Sequence, residues 1–302
     1  MPHRIQWLDI AKGITILLMV IGHTSIPQFV SNFIWAFHMP LFFIASGFIT
    51  DWNKDSFLAF CSRKLTTLGI PFVIYSIIVL AVELLIGENT FIHWITKGWE
   101  GYALWFIPIL FFALIFTKAL FLVRQNVYRN CCILTFLAIG YLLSFFKIEL
   151  PWTLSSIPYA FCMVVFGNEF KKYSNIIENP SYLCLLFLFA ITLTISYSWR
   201  LDMCFNNIIP ISFLTVGALA GSLFVFMTSS FIALQIKPLA AFLSFIGKET
   251  FIFVAFSQIV IILLNYYFTF NAGVKYLLLF VILLILKYIK DGVNMIFQRK
   301  VL

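Results

Sequence analysis

Apolar residues run through this chain in long segments separated by short polar breaks. Most of these segments are close to the roughly 20 residues that a helix needs to cross the hydrocarbon of a bilayer. The pattern predicts ten helices, at residues 8–26, 29–50, 67–87, 102–123, 131–147, 154–170, 182–199, 208–232, 249–268 and 274–290. Transmembrane barrel strands are excluded, because they alternate apolar and polar residues and these runs are continuous.

Charged and turn-forming residues mark the breaks between the predicted helices. Examples are Asp51 to Asp55, Glu88-Asn89, Arg124 to Asn130, Lys171 to Pro180, and Lys237-Pro238. No break is long enough for a second domain, and the chain shows no internal repeat. The prediction is an all-α polytopic membrane protein, with one transmembrane domain over residues 1–302 packed as one bundle.

Basic residues fall mostly on one side of this predicted bundle. If the first residue is cytoplasmic, sixteen of the twenty lysines and arginines lie inside, and the four outside are Lys97, Lys147, Arg200 and Lys275. Cytoplasmic loops carry such an excess, so both termini are predicted to be cytoplasmic. The expected location is the inner or plasma membrane, typical of a bacterial multi-pass protein. A cleaved signal peptide is not expected, because the first apolar run contains His23 and no small-x-small site.

Composition excludes the soluble classes. The chain is 62% hydrophobic and 11% charged, whereas soluble domains carry about 25% charged residues. A disordered protein, a nucleic-acid-binding domain and a secreted disulfide scaffold are therefore ruled out. The net charge of +8 is interpreted as a topology signal, with no nucleic-acid partner. The six cysteines form no C-x-x-C pair and are interpreted as small buried residues.

Four ionisable residues lie in the first two spans, where such groups are costly and deserve a functional interpretation. Lys12 and His23 are eleven residues apart, so they share one helix face about 16 Å apart along the axis. Asp9 stands three residues before Lys12, close enough to pair with it. The alternative is that Asp9 and Lys12 mark the cytoplasmic end of a span and that His23 caps its outer end.

His38 lies in the middle of the second predicted span, before Pro40. Two histidines on consecutive antiparallel helices can meet in one cavity, and the alternative is that each is a core histidine bonded to the backbone. No metal site is expected, because no H-E-x-x-H or C-x-x-C spacing occurs. A glycine-rich phosphate loop and a G-x-S-x-G nucleophile motif are also absent from the sequence.

Several short segments resemble the membrane acyltransferase-3 family. Leu8 to Gly13 with Gly22-His23 is similar to its first helix, in which ten positions separate a basic residue from a histidine. The segment Phe37 to Phe48 resembles FHMPLFF…SGF of its sugar O-acetylase branch, which includes fucose 4-O-acetylase-like proteins. Further similar segments, in order, are Arg63-Lys64 in a basic cytoplasmic loop, Pro71 opening the third span, Leu104-Trp105-Phe106, and the turn Gly247-Lys248-Glu249-Thr250.

The chain departs from the family pattern at two positions. Lys12 stands where members usually carry arginine, which keeps the charge but loses the bidentate fork. Phe256-Ser257-Gln258 stands near the place where many members have a histidine, so a role for that histidine does not carry over. The esterase-like domain that large members append is not expected here.

The resemblance implies acyl transfer, most often of acetyl from acetyl-CoA, to a hydroxyl of a surface polysaccharide or exopolysaccharide, or of its lipid-linked precursor. Acyl-CoA is then a substrate, and no tightly bound cofactor is expected. The partners are acyl-CoA, the glycan acceptor and membrane lipids. Lys12, with Arg63 and Lys64 beside it, is expected to bind the phosphates of the donor, and Asp9 to position Lys12.

His23 is expected to act as general base on the acceptor hydroxyl, or as the nucleophile of an acyl-histidine, with His38 as a second polar group near the acyl carbon. Ser46 and Trp105 are candidates for acceptor or thioester contact, against a packing role. Two other classes stay open: a transporter or flippase of a surface glycan, and a ligand-sensing membrane module. Trp94, Trp99 and Tyr102 are interpreted as an outer interfacial belt or as a sugar-binding loop.

Overall fold

The computed structural model describes residues 5–24, 26–87, 91, 103–268 and 271–299, without the side chains of residues 272, 291 and 293–299. In this part of the chain the regular elements are helices, with one isolated β-bridge. They are α1 Gln6–Gly22, α2 Gln28–Ile49, α3 Phe57–Lys64, α4 Ile70–Ile86, α5 Phe106–Leu122, α6 Asn126–Phe145, α7 Ile157–Lys171, α8 Ser174–Glu178, α9 Tyr182–Ser198, α10 Ile211–Gln235, α11 Lys237–Lys248, α12 Thr250–Tyr267 and α13 Ala272–Arg299. The all-α prediction is confirmed for the described residues.

Each of the ten predicted spans overlaps a helix. Within the described ranges, six helices are long and apolar enough to cross a membrane: Gln28–Ile49, Phe57–Ile86, Ala103–Leu122, Asn126–Phe145, Ile211–Gln235 and Thr250–Tyr267. The chain is therefore a polytopic membrane protein. α1 and α9 are apolar but have 17 residues each, about 25 Å at 1.5 Å per residue. The count of ten stays a prediction, and the belt Trp94, Trp99 and Tyr102 lies outside the described residues.

The third span differs from its prediction. The sequence placed Arg63 and Lys64 in a loop, whereas they form the last turn of α3, which continues through a π-helical turn at Leu65–Gly69 into α4. In that turn the Ile70 N–H bonds the Leu65 carbonyl five residues back. Pro71 has no N–H and crowds the preceding turn, and a wider π turn accommodates it without breaking the helix.

α1 and α2 run antiparallel and pack along their length. Trp7 at the start of α1 lies edge-on to Phe48 at the end of α2, with ring centroids 5.2 Å apart. At the other end, the His23 and Trp35 rings are 5.1 Å apart. This arrangement brings the two histidine-bearing segments to neighbouring positions.

The crossing of α1 and α11 leaves no room for a side chain. A Cβ added at Gly13 would collide with the Leu243 carbonyl, and one added at Gly247 would collide with the Asp9 carbonyl. Glycine is needed here for close approach of the two backbones. The crossing of α2 and α7 is built in the same way, by Gly47 and Gly167. α1 and α2 are thus held firmly by two different neighbours.

The two ends of the bundle carry different polar groups. The histidine end is defined here by His23, Trp35 and the loop after α9. The lysine end is defined by Lys12, by the turn after α2 that contains Trp52, and by the last turn of α7. Of the basic residues predicted to lie outside, Arg200 is at the histidine end. The structure thus separates charges along the bundle, while the assignment of the lysine end to the cytoplasm stays a prediction.

The cysteines are less buried than the sequence suggested. Cys162 is buried, but Cys131 is exposed and the remaining four are half-buried. Cys131 lies on α6, most of which faces outward from the bundle. Lipid is as apolar as a protein core, so an apolar segment does not by itself place a small residue inside.

Reporter fusions test the orientation. An enzyme active only in the cytoplasm, fused after Leu302, is expected to be active, because the basic residues concentrate at the lysine end. The same enzyme inserted at Lys147, which follows α6 and is predicted to lie outside the cell, is expected to be inactive. Activity at Lys147 and silence at Leu302 would invert the topology.

Candidate functional site

His23 and His38 line one cavity at the histidine end. Its volume is about 70 Å³, enough for several waters or a small polar group. His23 is the first residue after α1, and its backbone N–H bonds the Met19 carbonyl at 3.1 Å. His38 is buried within α2. The structure therefore brings together the two histidines that the sequence singled out.

The ring of His38 is held by its own helix. Its Nδ1 lies 3.1 Å from the Ile34 carbonyl oxygen, and a carbonyl only accepts hydrogen bonds. In a neutral ring the proton therefore sits on Nδ1, which leaves Nε2 as a hydrogen-bond acceptor. The backbone contact that the sequence offered as the alternative is thus present, and it leaves one nitrogen of His38 available.

Trp35 lies between the two histidines. Its ring centroid is 5.1 Å from that of His23 and 4.7 Å from that of His38. The Arg200 guanidinium lies 4.6 Å from the Trp35 ring centroid, a cation–π distance. Arg200 is also 4.0 Å from the Asp202 carboxylate and donates to Ser31 Oγ at 3.4 Å. Trp35 is therefore packed on several sides, and its ring restricts both imidazoles.

The loop after α9 closes the cavity. Leu201, Asp202 and Met203 line it, and backbone hydrogen bonds of 2.8 and 3.1 Å pair Asp202 with Asn207 across a tight turn. The Ile208 N–H bonds Ser144 Oγ of α6 at 3.3 Å. These contacts anchor the loop to the bundle, so the cavity wall is a built part of the fold.

Burial raises the pKa of the Asp202 carboxyl above its usual value, against the opposing effects of Arg200 and of hydrogen bonds that include the Trp35 indole. A carboxylate in such a place is a strong acceptor for a hydroxyl donor. Sequence analysis assigned no role to Trp35, Arg200 or Asp202. Of these three residues, only Trp35 could have been found from the sequence. It precedes His38 by three positions, and residues three apart share a helix face.

Asp9 and Lys12 form the predicted pair at the lysine end. Their ion pair measures 2.8 Å, and the side chains are 5% and 23% exposed. Neither residue is among those lining the histidine cavity. On an ideal helix His23 lies about 16 Å further along the axis from Lys12. The pair and the histidines are thus separated by about half of the roughly 30 Å thickness of the hydrocarbon core.

Arg63 and Lys64 have contacts of their own. Arg63 forms an ion pair of 2.5 Å with Asp55, and the Lys64 ammonium lies 5.4 Å from the Phe60 ring centroid. Within the described residues, no hydrogen bond or ion pair joins either of them to Lys12. The structure therefore places the three cations on α1 and α3 without showing them as one cluster.

Trp105 and Ser46, the candidates for acceptor or thioester contact, lie in different places. Trp105 lines the histidine cavity and is buried. Ser46 is half-buried and donates to the Phe42 carbonyl one turn back on α2 at 2.8 Å, and it is not a lining residue of that cavity. Ser46 thus satisfies its hydroxyl within its own helix.

A comparison with known protein families identifies the family of this chain. The model of the acyltransferase-3 family, described as an acyltransferase domain, matches residues 5–289. The chain belongs to this family. Membership supports membrane acyltransferase activity. No curated protein and no solved structure matches the chain.

Gln258, in the segment Phe256-Ser257-Gln258 that departs from the family pattern, contacts the backbone beside the histidine cavity. The Gln258 side-chain oxygen accepts the Ala103 N–H at 2.7 Å, and Ala103 lines the histidine cavity with Trp105. In this acyltransferase the position therefore orders the backbone beside the cavity. Among the described residues, no group of three or more His, Cys, Asp or Glu is placed to hold a metal ion.

Proposed function

We propose that this acyltransferase moves a short acyl group, acetyl in the simplest case, from acyl-CoA to a hydroxyl of a surface polysaccharide or its lipid-linked precursor. The observation that carries the proposal is the meeting of His23 and His38 in one cavity beside Trp105. Imidazole is the commonest general base in enzymes and also a competent acyl acceptor. No observation favours glycan transport, so acyl transfer is the function carried forward.

The donor enters from the lysine end in this proposal. Its phosphates contact the ammonium of Lys12, whose side chain is partly exposed next to Asp9. An extended pantetheine arm then bridges the roughly 16 Å to His23 along α1. This arrangement lets a cytoplasmic donor reach an acceptor bound near the opposite face of the membrane.

The histidines carry the reaction. In direct transfer, His23 removes the proton of the acceptor hydroxyl while the oxygen attacks the thioester carbonyl, and CoA leaves as the thiolate. In the two-step route, an imidazole nitrogen of His23 first attacks the thioester and expels CoA as the thiolate. The acceptor hydroxyl then attacks the acyl-imidazole, and the ester forms as the released imidazole takes up the hydroxyl proton. The Nδ1 of His38 is held by the Ile34 carbonyl. Its Nε2 is therefore the second hydrogen-bond acceptor near the acyl carbon.

A labelling assay tests this function. Purified protein in nanodiscs is incubated with acetyl-CoA carrying a radiolabelled acetyl group and with polysaccharide from the source cell. The label is expected to appear on the glycan and to be released by mild base, as an ester is. Label transfer that proceeds equally well without the protein, or not at all with any hydroxyl acceptor, would contradict the proposal.

Substitution of Trp35 tests how the histidines are positioned. Trp35→Leu is expected to lower kcat about 2–10-fold, because each aromatic contact is worth about 0.5–1.5 kcal/mol, with little change in the KM for acetyl-CoA. Trp35→Phe keeps a ring between the histidines and should lose less. A rise in KM at unchanged kcat would show that Trp35 acts in donor binding and does not position the histidines.

A further inference from the structure

Two cavities adjoin at the lysine end, away from the histidines. The polar pocket has a volume of about 340 Å³ and lies between the turn after α2, the end of α5, the start of α6 and the end of α7; its lining includes Asp51, Trp52, Phe121, Arg129 and Lys171. The apolar groove has a volume of about 400 Å³ and runs between α5, α6 and α7. Phe121 and Arg129 line both, so the two cavities are neighbours that share part of one wall.

Trp52 forms a rigid aromatic part of the wall of the polar pocket. Its side chain is buried, at 5% exposed, and its ring stacks on Phe121 with centroids 5.3 Å apart. The indole nitrogen has almost no accessible surface, so Trp52 contributes its ring to the pocket and not its N–H.

Two cations stand on the same wall. Arg129 lies over the Phe121 ring at 5.9 Å and donates to Asn126 Oδ1. Neither Arg129 nor Lys171 forms an ion pair with a carboxylate of the described residues. Cationic side chains are the donors that a phosphate group prefers.

One acidic side chain shares the pocket. The Asp51 carboxylate lines it and accepts the Asn53 backbone N–H at 3.1 Å. It disfavours a second negative charge on the ligand and favours an amine. The charges of the wall therefore match a headgroup that carries one phosphate and one ammonium.

The apolar groove presents a row of apolar side chains beside polar ones. Leu120, Ile133, Val165 and Phe166 form its apolar lining, and Asn126 and Asn130 are among its polar lining residues. Its charged edge is partly neutralised, because Lys172 pairs with Glu169 at 2.5 Å. Only 6% of the apolar 18-residue stretch of α6 is buried, so this side of the bundle faces the surrounding lipid. A chain in the bilayer can enter the groove from the side.

We propose that the polar pocket and the apolar groove together bind one zwitterionic phospholipid of the ethanolamine class. Its phosphate contacts Arg129 and Lys171, and its amine faces Asp51. One acyl chain lies along α6 and α7. The site is separate from the histidine cavity, and the proposal does not depend on the reaction assigned there.

Native mass spectrometry of the full-length, delipidated protein tests this site. Phosphatidylethanolamine is expected to bind at one tight site, with diacylglycerol at least about tenfold weaker because it lacks the phosphate. Phosphatidylglycerol is expected to bind more weakly than phosphatidylethanolamine, because of Asp51. Inorganic phosphate is expected not to compete. Competition by inorganic phosphate would show a soluble-anion site, and a reversed order of the two phospholipids would overturn the headgroup assignment.

Variants locate the site. Arg129→Gln and Lys171→Gln are each expected to weaken phosphatidylethanolamine binding about tenfold, as for the loss of a charge-assisted contact. Arg124→Gln is the matched control, since Arg124 is a nearby exposed cation that lines neither cavity. Equal effects of Arg124→Gln and Arg129→Gln would show general surface attraction and overturn the proposal.

Discussion

His23→Ala is expected to reduce acyl transfer by about 10²–10⁴-fold if His23 is the general base, and by more if it is the nucleophile. The loss should appear in kcat, because in the proposed arrangement the donor phosphates bind near Lys12, about 16 Å away. The measurement is steady-state transfer of labelled acetyl to glycan by purified protein in nanodiscs.

The folded protein should tolerate this change. His23 is half-buried directly after α1, and its backbone N–H, which bonds the Met19 carbonyl, remains in the variant. Thr24→Ala is a suitable control, because the Thr24 hydroxyl bonds the Ile21 carbonyl and does not line the cavity. Acyl transfer near the wild-type rate in a well-folded His23→Ala protein would show that His23 is structural.

The assay also separates the two routes. If His23 is the nucleophile, wild-type protein incubated with labelled acetyl-CoA and no acceptor should take up label at His23 in a burst. His38→Ala should then slow the reaction without removing the labelled site. Absence of protein-bound label, together with a large loss in His23→Ala, would assign His23 to general base catalysis.

Lys12→Met is expected to raise the KM for acyl-CoA about 5–30-fold, corresponding to about 1–2 kcal/mol for one lost charge-assisted contact. The effect should fall on KM, because Lys12 lies far from the histidine cavity. Some loss of folded protein is also expected, since the substitution removes the cation that the buried Asp9 carboxylate contacts at 2.8 Å.

Two further variants separate binding from stability. Lys12→Arg keeps the charge and should retain much of the activity, in line with the arginine that family members usually carry. Asp9→Asn combined with Lys12→Met should recover folded protein without restoring donor affinity. A fall in kcat at unchanged KM, or full activity in the double variant, would remove Lys12 from the donor site.

Much of the frame of this protein follows from one-dimensional patterns. Continuous apolar runs determine where helices form, because each must satisfy its own backbone in lipid. The helical period places Asp9 beside Lys12 and puts Lys12 and His23 on one face. Consecutive antiparallel spans make a meeting of His23 and His38 geometrically available, and the structure shows that both line one cavity.

Local patterns were less informative where tertiary packing overrides them. Arg63 and Lys64 were expected in a loop, but the helix continues through them by way of a π turn. Cys131 was expected to be buried, but it lies on an outward face of α6. In a membrane the outer surface is as apolar as the core, so hydropathy determines insertion and leaves burial undecided.

The remaining parts of the candidate site depend on residues far apart in the chain. Arg200 stacks on Trp35 across more than 160 positions, and Gln258 bonds Ala103. Trp52 and Arg129 meet at the lysine end in the same way. A periodic pattern specifies which face of a helix a residue occupies, but not which other helix that face meets. The sequence by itself therefore determined the helices and the first-helix pair, whereas only the tertiary structure decided what surrounds the two histidines.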